Sequence, residues 1–214
     1  MKIPLGKQLK KRSQIEVAIL QDELVDIIYS IVDDAVLHGG TAIWRCYSGK
    51  RFSEDIDLYS QSFSDSVRDF STAILSRGLT IGKLKDTGRV IYSSVSNGRS
   101  EVRVEINHFS TQIGKVSKFE LVDGSYIEVL SLTPEQLIRE KMEAYRDRRF
   151  IRDIYDIYHL VGIIGDLGAL KRDFLTFLKE IGKPVDEQVL KTIVYSGIPP
   201  TFEGMVIELK RVVR

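Results

Sequence analysis

From Leu79 to Phe109 the sequence reads as three strand-like segments in a row. Leu79 to Lys85 and Arg89 to Val95 are separated by the turn signal Asp86-Thr87-Gly88, and Glu101 to Phe109 follows Asn97-Gly98. A further short strand is expected at Tyr126 to Leu130. From Thr133 the spacing becomes helical and stays so, with Pro134 suited to a first helical turn and Glu135 and Gln136 behind it. Upstream, Gln14 to Ser30 carries Ile15, Ala18, Ile19, Leu24, Ile27 and Ile28 near helical spacing, and Phe63 to Leu75 reads as a second helix stopped by Gly78. Segregation of strands from a helical tail predicts an α+β fold: a small mixed sheet flanked by helices over residues 1–131, then a helical region over 132–214, with the boundary near Ser131.

The chain of 214 residues is 43% apolar, enough for a real core without covalent staples. Its one cysteine, Cys46, excludes an intramolecular disulfide framework, and neither it nor the three histidines has zinc-site spacing. A reducing compartment is expected. Met1 to Arg12 is basic and lacks a following apolar stretch, and no run approaches the roughly 20 residues that cross a bilayer. The reading is therefore a soluble, cytoplasmic protein with no membrane partner. Lysine plus arginine (31) nearly balances aspartate plus glutamate (30), so nucleic acid would have to be met by local patches. Two are available: Lys2 to Arg12, and the group Arg139, Lys141, Arg146, Arg148, Arg149 and Arg152. Each reads equally well as a solvated helix face.

Three groups of residues carry chemistry. Ala35-Val36-Leu37 meets Gly39-Gly40-Thr41 and helical composition resumes through Tyr47, giving a strand, a tight turn and a helix start whose free N–H groups suit a phosphate. The Thr41 hydroxyl could add a hydrogen bond, and Arg45, one turn on, lies near the same helix face. Taken alone, a glycine pair at a strand end is more often just a turn. Next, Asp55-Ile56-Asp57 falls within a strand expected over Glu54 to Tyr59, so both carboxylates share a face while Ile56 and Leu58 turn to the core. Such a pair suits magnesium, with manganese as the alternative; two solvated acids are the plainer reading. Finally, Glu105 sits on the polar face of Val102 to Asn107. Were that strand beside the Asp55 strand, Glu105 would complete a carboxylate triad for metal; otherwise it would pair with a cross-strand lysine or arginine.

His38-Gly39-Gly40-Thr41-Ala42 followed by Arg51-Phe52-Ser53-Glu54-Asp55-Ile56-Asp57-Leu58 resembles the signature of the AbiEii/AbiGii-type nucleotidyltransferase toxins. Downstream, Lys141, Ala144, Arg149, Arg152-Asp153 and Asp156 are similar to that family's later motifs, so the resemblance spans roughly His38 to Leu160. It implies a polymerase-beta-like nucleotidyltransferase core closed by the helical C-terminal region. By resemblance, Gly39, Gly40 and Thr41 hold the triphosphate with Arg45, Arg51 and Ser53 beside them, Asp55 and Asp57 hold the metal with Glu105 as third carboxylate, Lys141 meets a phosphate, and Asp153 and Asp156 complete the catalytic set. It further implies a nucleoside triphosphate donor, an RNA acceptor such as a tRNA 3′ end, and a toxin role opposed by an antitoxin. The competing readings are a nucleotide-dependent binding module without turnover, and transfer to protein or a small molecule. Lysine suits this chemistry because charge on the transferred phosphoryl group is what must be stabilised. His38 and Trp44 read as packing residues. Were Thr133 to Leu160 one helix, Lys141, Tyr145, Arg148, Arg152 and Asp156 would line a single face; a break near Arg149 would redistribute them.

Overall fold

The computed structural model describes residues 3–213, so Met1, Lys2 of the N-terminal basic patch and Arg214 lie outside the described residues. In chain order the elements are α1 (Leu5–Gln8), α2 (Arg12–Ile31), β1 (Val36–His38), α3 (Gly39–Cys46), β2 (Ile56–Tyr59), α4 (Val67–Ser76), β3 (Thr80–Asp86), β4 (Val90–Ser96), β5 (Glu101–Asn107), β6 (Lys115–Glu120), β7 (Tyr126–Ser131), α5 (Pro134–Arg148), α6 (Ile151–Ile164), α7 (Lys171–Glu180), α8 (Leu190–Ile193) and α9 (Phe202–Val212). The seven strands form one mixed sheet in the order β3-β4-β5-β2-β1-β7-β6. The expected α+β organisation is present, helices following strands. Among the described residues no helix is long and apolar enough to cross a membrane.

The order at the centre of the sheet positions the site. β1 runs antiparallel to β2, with His38 opposite Asp57, while β2 runs parallel to β5 and sets Asp57 opposite Glu105. Along β2, Ile56 and Leu58 are fully buried and Asp57 and Tyr59 face the other way, the alternation that the pleat requires.

Helix α2 covers the opposite side with Leu20, Leu24, Val25, Ile27 and Ile28 buried. Ile19, expected on that face, is 49% exposed. Five residues from Leu24, it lies about 140° round a helix of 3.6 residues per turn. The helix expected from Phe63 begins instead as a 3-10 turn at Ser62–Ser66 before α4. Strand β6 was not anticipated. It is an edge strand whose Val116 faces outward while Glu120 is buried, so its pattern inverts the usual signal.

Thr133 caps α5 through a capping box with Gln136, fixing where the helical part begins. Arg149, in the left-handed region at φ 51°, ends α5, and Phe150 starts α6. The chain from Thr133 to Leu160 is thus two helices that turn on Arg149. One apolar core runs from α2 through the sheet into α5, α6, α7 and α9; a smaller cluster around Trp44, Phe52 and Tyr195 confirms the packing role of Trp44.

Candidate active site

Gly39 opens α3 with φ 70°, a left-handed conformation that glycine adopts without strain. A side chain there would also strike the Asp57 carboxylate, so the turn lies directly against the second acid of the Asp-x-Asp pair. At Gly40 a Cβ would come 2.5 Å from both Arg51 Nη2 and Ser53 Oγ. No side chain caps the start of α3, which leaves its first N–H groups free for an anion. The Thr41 hydroxyl is buried and donates a 2.5 Å hydrogen bond to the Asp55 carbonyl, tying the glycine turn to the strand that follows.

Arg45 is not brought to this cluster. It does lie one turn from Thr41, but the face they share is the core face: Arg45 is buried, ion-paired with Asp22, and its guanidinium stands over the Trp44 and Phe119 rings at 4.9 and 4.5 Å. Burial pushes its pKa down to about 9. Arg45 thus packs in the core and does not meet the phosphate that its spacing suggested.

The three carboxylates come to one side of the sheet. Burial raises the Asp57 carboxyl above its ordinary value, with Asp55 and Glu140 adding and His38 and Lys141 opposing. Burial likewise raises Glu105, helped by the charges of Asp57 and then Asp55, so the cross-strand pairing considered for Glu105 is replaced by an acidic neighbour. Asp55 is held by a cation of the chain itself: Arg103, two residues before Glu105 on β5, forks onto its two carboxylate oxygens at 2.9 and 3.0 Å. Among the described residues no three acidic, imidazole or thiol side chains are gathered closely enough to enclose a metal. Their chemistry nevertheless fits a divalent cation. Oxygen donors repel one another, burial destabilises the charges of Asp57 and Glu105, and Asp55 already accepts a positive head group.

Behind the glycine turn lies a buried chain of ion pairs. Arg51 forks onto Asp156 through Nε and Nη2, both at 2.6 Å; Lys141 reaches Asp156 at 3.1 Å and Asp153 at 3.3 Å; Arg148 forks onto Asp153 at 2.9 and 2.8 Å. Burial alone would raise the Asp156 carboxyl, but Arg51 and then Lys141 hold it below the usual range. Asp153 and Asp156 are essentially inaccessible. They therefore do not face the site themselves but hold Lys141 and Arg51 in place. The break at Arg149 makes this possible, because α5 brings Lys141 and α6 brings the two aspartates to the same point.

Two residues of the neighbourhood escaped the sequence reading. Tyr59 continues the face of Asp55 and Asp57 two residues further along β2, a signal that was present in the alternation. Glu140, adjacent to Lys141, accepts from Tyr59 Oη at 2.6 Å and meets His38 Nδ1 at 3.3 Å, while His38 stacks on Tyr59 with ring centroids 3.9 Å apart. That arrangement accounts for the packing role expected of His38. The basic patch is partly neutralised: Arg139 pairs with Asp173 and Arg146 with Glu180.

A mixed sheet with a glycine turn, an Asp-x-Asp strand and a neighbouring carboxylate strand, closed by helices that supply a buried lysine, defines a nucleotidyltransferase. The profile of the family described as "Nucleotidyl transferase AbiEii toxin, Type IV TA system" matches residues 27–205, and the chain belongs to that family. Its fold is similar to that of JHP933 from Helicobacter pylori, with a TM-score of 0.64 at 19% identity, covering 95% of this chain and 91% of that one. It is also similar to the crystal structure of a putative nucleotidyltransferase from H. pylori, with a TM-score of 0.61 at 19% identity, covering 95% of this chain and 94% of that one. No match was found among curated proteins.

Proposed function

We propose that this protein transfers a nucleoside monophosphate from a nucleoside triphosphate to a hydroxyl of an RNA acceptor, such as a tRNA 3′ end, releasing pyrophosphate, and that it does so as the toxin of a toxin–antitoxin pair. The observation that carries the reading is the register of β2 with β5, which sets Asp57 beside Glu105 under an uncapped helix start. Asp55, Asp57 and Glu105 would hold magnesium or manganese, which when bound neutralises phosphate charge and lowers the pKa of the attacking hydroxyl.

The chain's own groups supply the rest. The N–H groups at Gly39, Gly40 and Thr41 hold triphosphate oxygens at the positive end of α3. Thr41 contributes by fixing the Asp55 backbone, and Arg51 and Ser53 lie under Gly40, where they set how closely a phosphate approaches. Lys141 neutralises charge on the transferred or departing phosphate, its ammonium held by Asp153 and Asp156. Residues up to 131 thus carry the phosphate turn and carboxylates, and those from 132 the lysine that closes over them.

The test is incubation of the purified protein with magnesium, each labelled nucleoside triphosphate, and total RNA, read on a denaturing gel. Label in RNA that disappears with D55N or D57N supports the proposal and identifies donor and acceptor together. Label on protein alone overturns the RNA acceptor, and no label with any donor overturns turnover.

A further inference from the structure

Beside Asp55 a cleft of about 250 Å³ opens between the sheet and the start of α6. Phe150, Val189 and Ile193 make part of its lining apolar, and Arg103 and Arg152 stand in it with Asp55. Phe150 is the residue at the bend between α5 and α6, partly exposed, and the guanidinium of Arg152 lies over its ring at 5.4 Å. Among the described residues Arg152 has no acidic partner, unlike Arg148, whose head group also lies over that ring but is forked onto Asp153. The cleft therefore joins the carboxylate face of the site to an aromatic ring and to a planar cation that rests on that ring without an acidic partner among the described residues.

These features suit a flat heteroaromatic ligand better than a bare phosphate. The positive charge of Arg103 is already spent on Asp55, and the cleft also carries Glu54 and Asp186, so it offers no net cationic basin. A ring and a guanidinium are the two planar surfaces on which a base stacks without its edge being read. We infer that this cleft binds a nucleobase, with Phe150 as stacking surface and Arg152 as its cationic partner. The inference rests on the nucleotide-transfer reading above and adds to it the place of the base. The base has two possible sources, the donor triphosphate or the terminal residue of the acceptor, since both must reach the Asp55 side of the site.

The experiment measures binding by the wild-type chain, F150A and F150Y, with magnesium present, to each nucleoside triphosphate, to inorganic tripolyphosphate and to a single-stranded oligoribonucleotide. F150A should weaken binding of a base-bearing ligand by about tenfold. F150Y should restore it, and tripolyphosphate should be unaffected in either variant. A loss confined to the triphosphates makes the cleft the donor's base site, and one confined to the oligonucleotide makes it the acceptor's. Unchanged binding of both by F150A overturns the inference, as does an equal loss of tripolyphosphate, which would mark Phe150 as merely structural. Failure of the wild-type chain to bind any of the three ligands would overturn the nucleotide-transfer reading itself.

Discussion

Arg103 occupies both carboxylate oxygens of Asp55, so the one of the three site carboxylates that lines the cleft is neutralised from a neighbouring strand. Arg103 is 63% exposed, and an ion pair that open to solvent contributes no more than about 1 kcal/mol. A cation arriving at Asp55 competes with that fork and displaces it cheaply. R103Q should therefore bind manganese about two- to fivefold more tightly than wild type, measured by titration calorimetry without nucleotide. Equal affinities would show that the fork does not guard Asp55.

Asp57 is the residue on which activity and stability should part company. D57N removes a metal-binding charge, and label transfer should fall at least about a hundredfold. It also relieves a buried carboxylate of its acidic neighbours, so the melting temperature should hold or rise, corresponding to about 0.5–1 kcal/mol of added stability. A variant that lost activity because it unfolded would defeat this account.

The same carboxylates set a pH dependence. Asp57 and Glu105 have folded pKa values above their ordinary 3.8 and 4.5, so the native state holds protons that the unfolded chain has released, and stability falls as pH rises through that window. Asp156 behaves oppositely: its folded value lies below 3.8, and the stability it contributes is lost as pH drops through that lower value. Thermal melts across acidic pH should show an optimum between the two effects. In D57N the decline on the high-pH side should shrink, and magnesium should shrink it in the wild-type chain; identical profiles would contradict the assignment.

Asp156 can be separated from the carboxylate face by the size of its effect on folding. D156A leaves Arg51 buried without its fork and Lys141 with one partner fewer, and should cost about 3–5 kcal/mol in denaturant unfolding. A loss under 1 kcal/mol would show that the network does not hold the helices to the sheet.

The two glycines should fail in different ways. G39A forces a left-handed backbone onto a residue with a side chain and drives it into Asp57, so it should cost about 1–3 kcal/mol of stability. G40A needs no left-handed backbone but pushes on Arg51 Nη2, which is held by Asp156, and on Ser53 Oγ; it should cost less stability than G39A and bind tripolyphosphate less tightly. Equal melting temperatures for the two variants would contradict this distinction.

What could be read from sequence was local. The glycine turn, the shared face of Asp55 and Asp57 and the start of α5 each depend on residues within a few positions of one another, where spacing and geometry are tightly linked. Whether Glu105 stands beside Asp57 depends on parallel pairing between strands far apart in the chain, and alternation reports a face without naming its neighbour. Arg45 shows the limit most clearly. Helical spacing rightly put it on the face of Thr41, but spacing alone does not say whether a face meets solvent, ligand or core. The bend at Arg149 carried no glycine to announce it, so the convergence of Lys141 with Asp153 and Asp156 became visible only in three dimensions.

The bond from Thr41 to the Asp55 carbonyl, together with the contact of Gly39 against Asp57, fastens the phosphate turn and the acidic strand into one anvil. The helices α5 and α6 are joined to that anvil twice over, by the shared apolar core and by the buried fork of Arg51 on Asp156, so the lysine they carry is held at a fixed height above the acids.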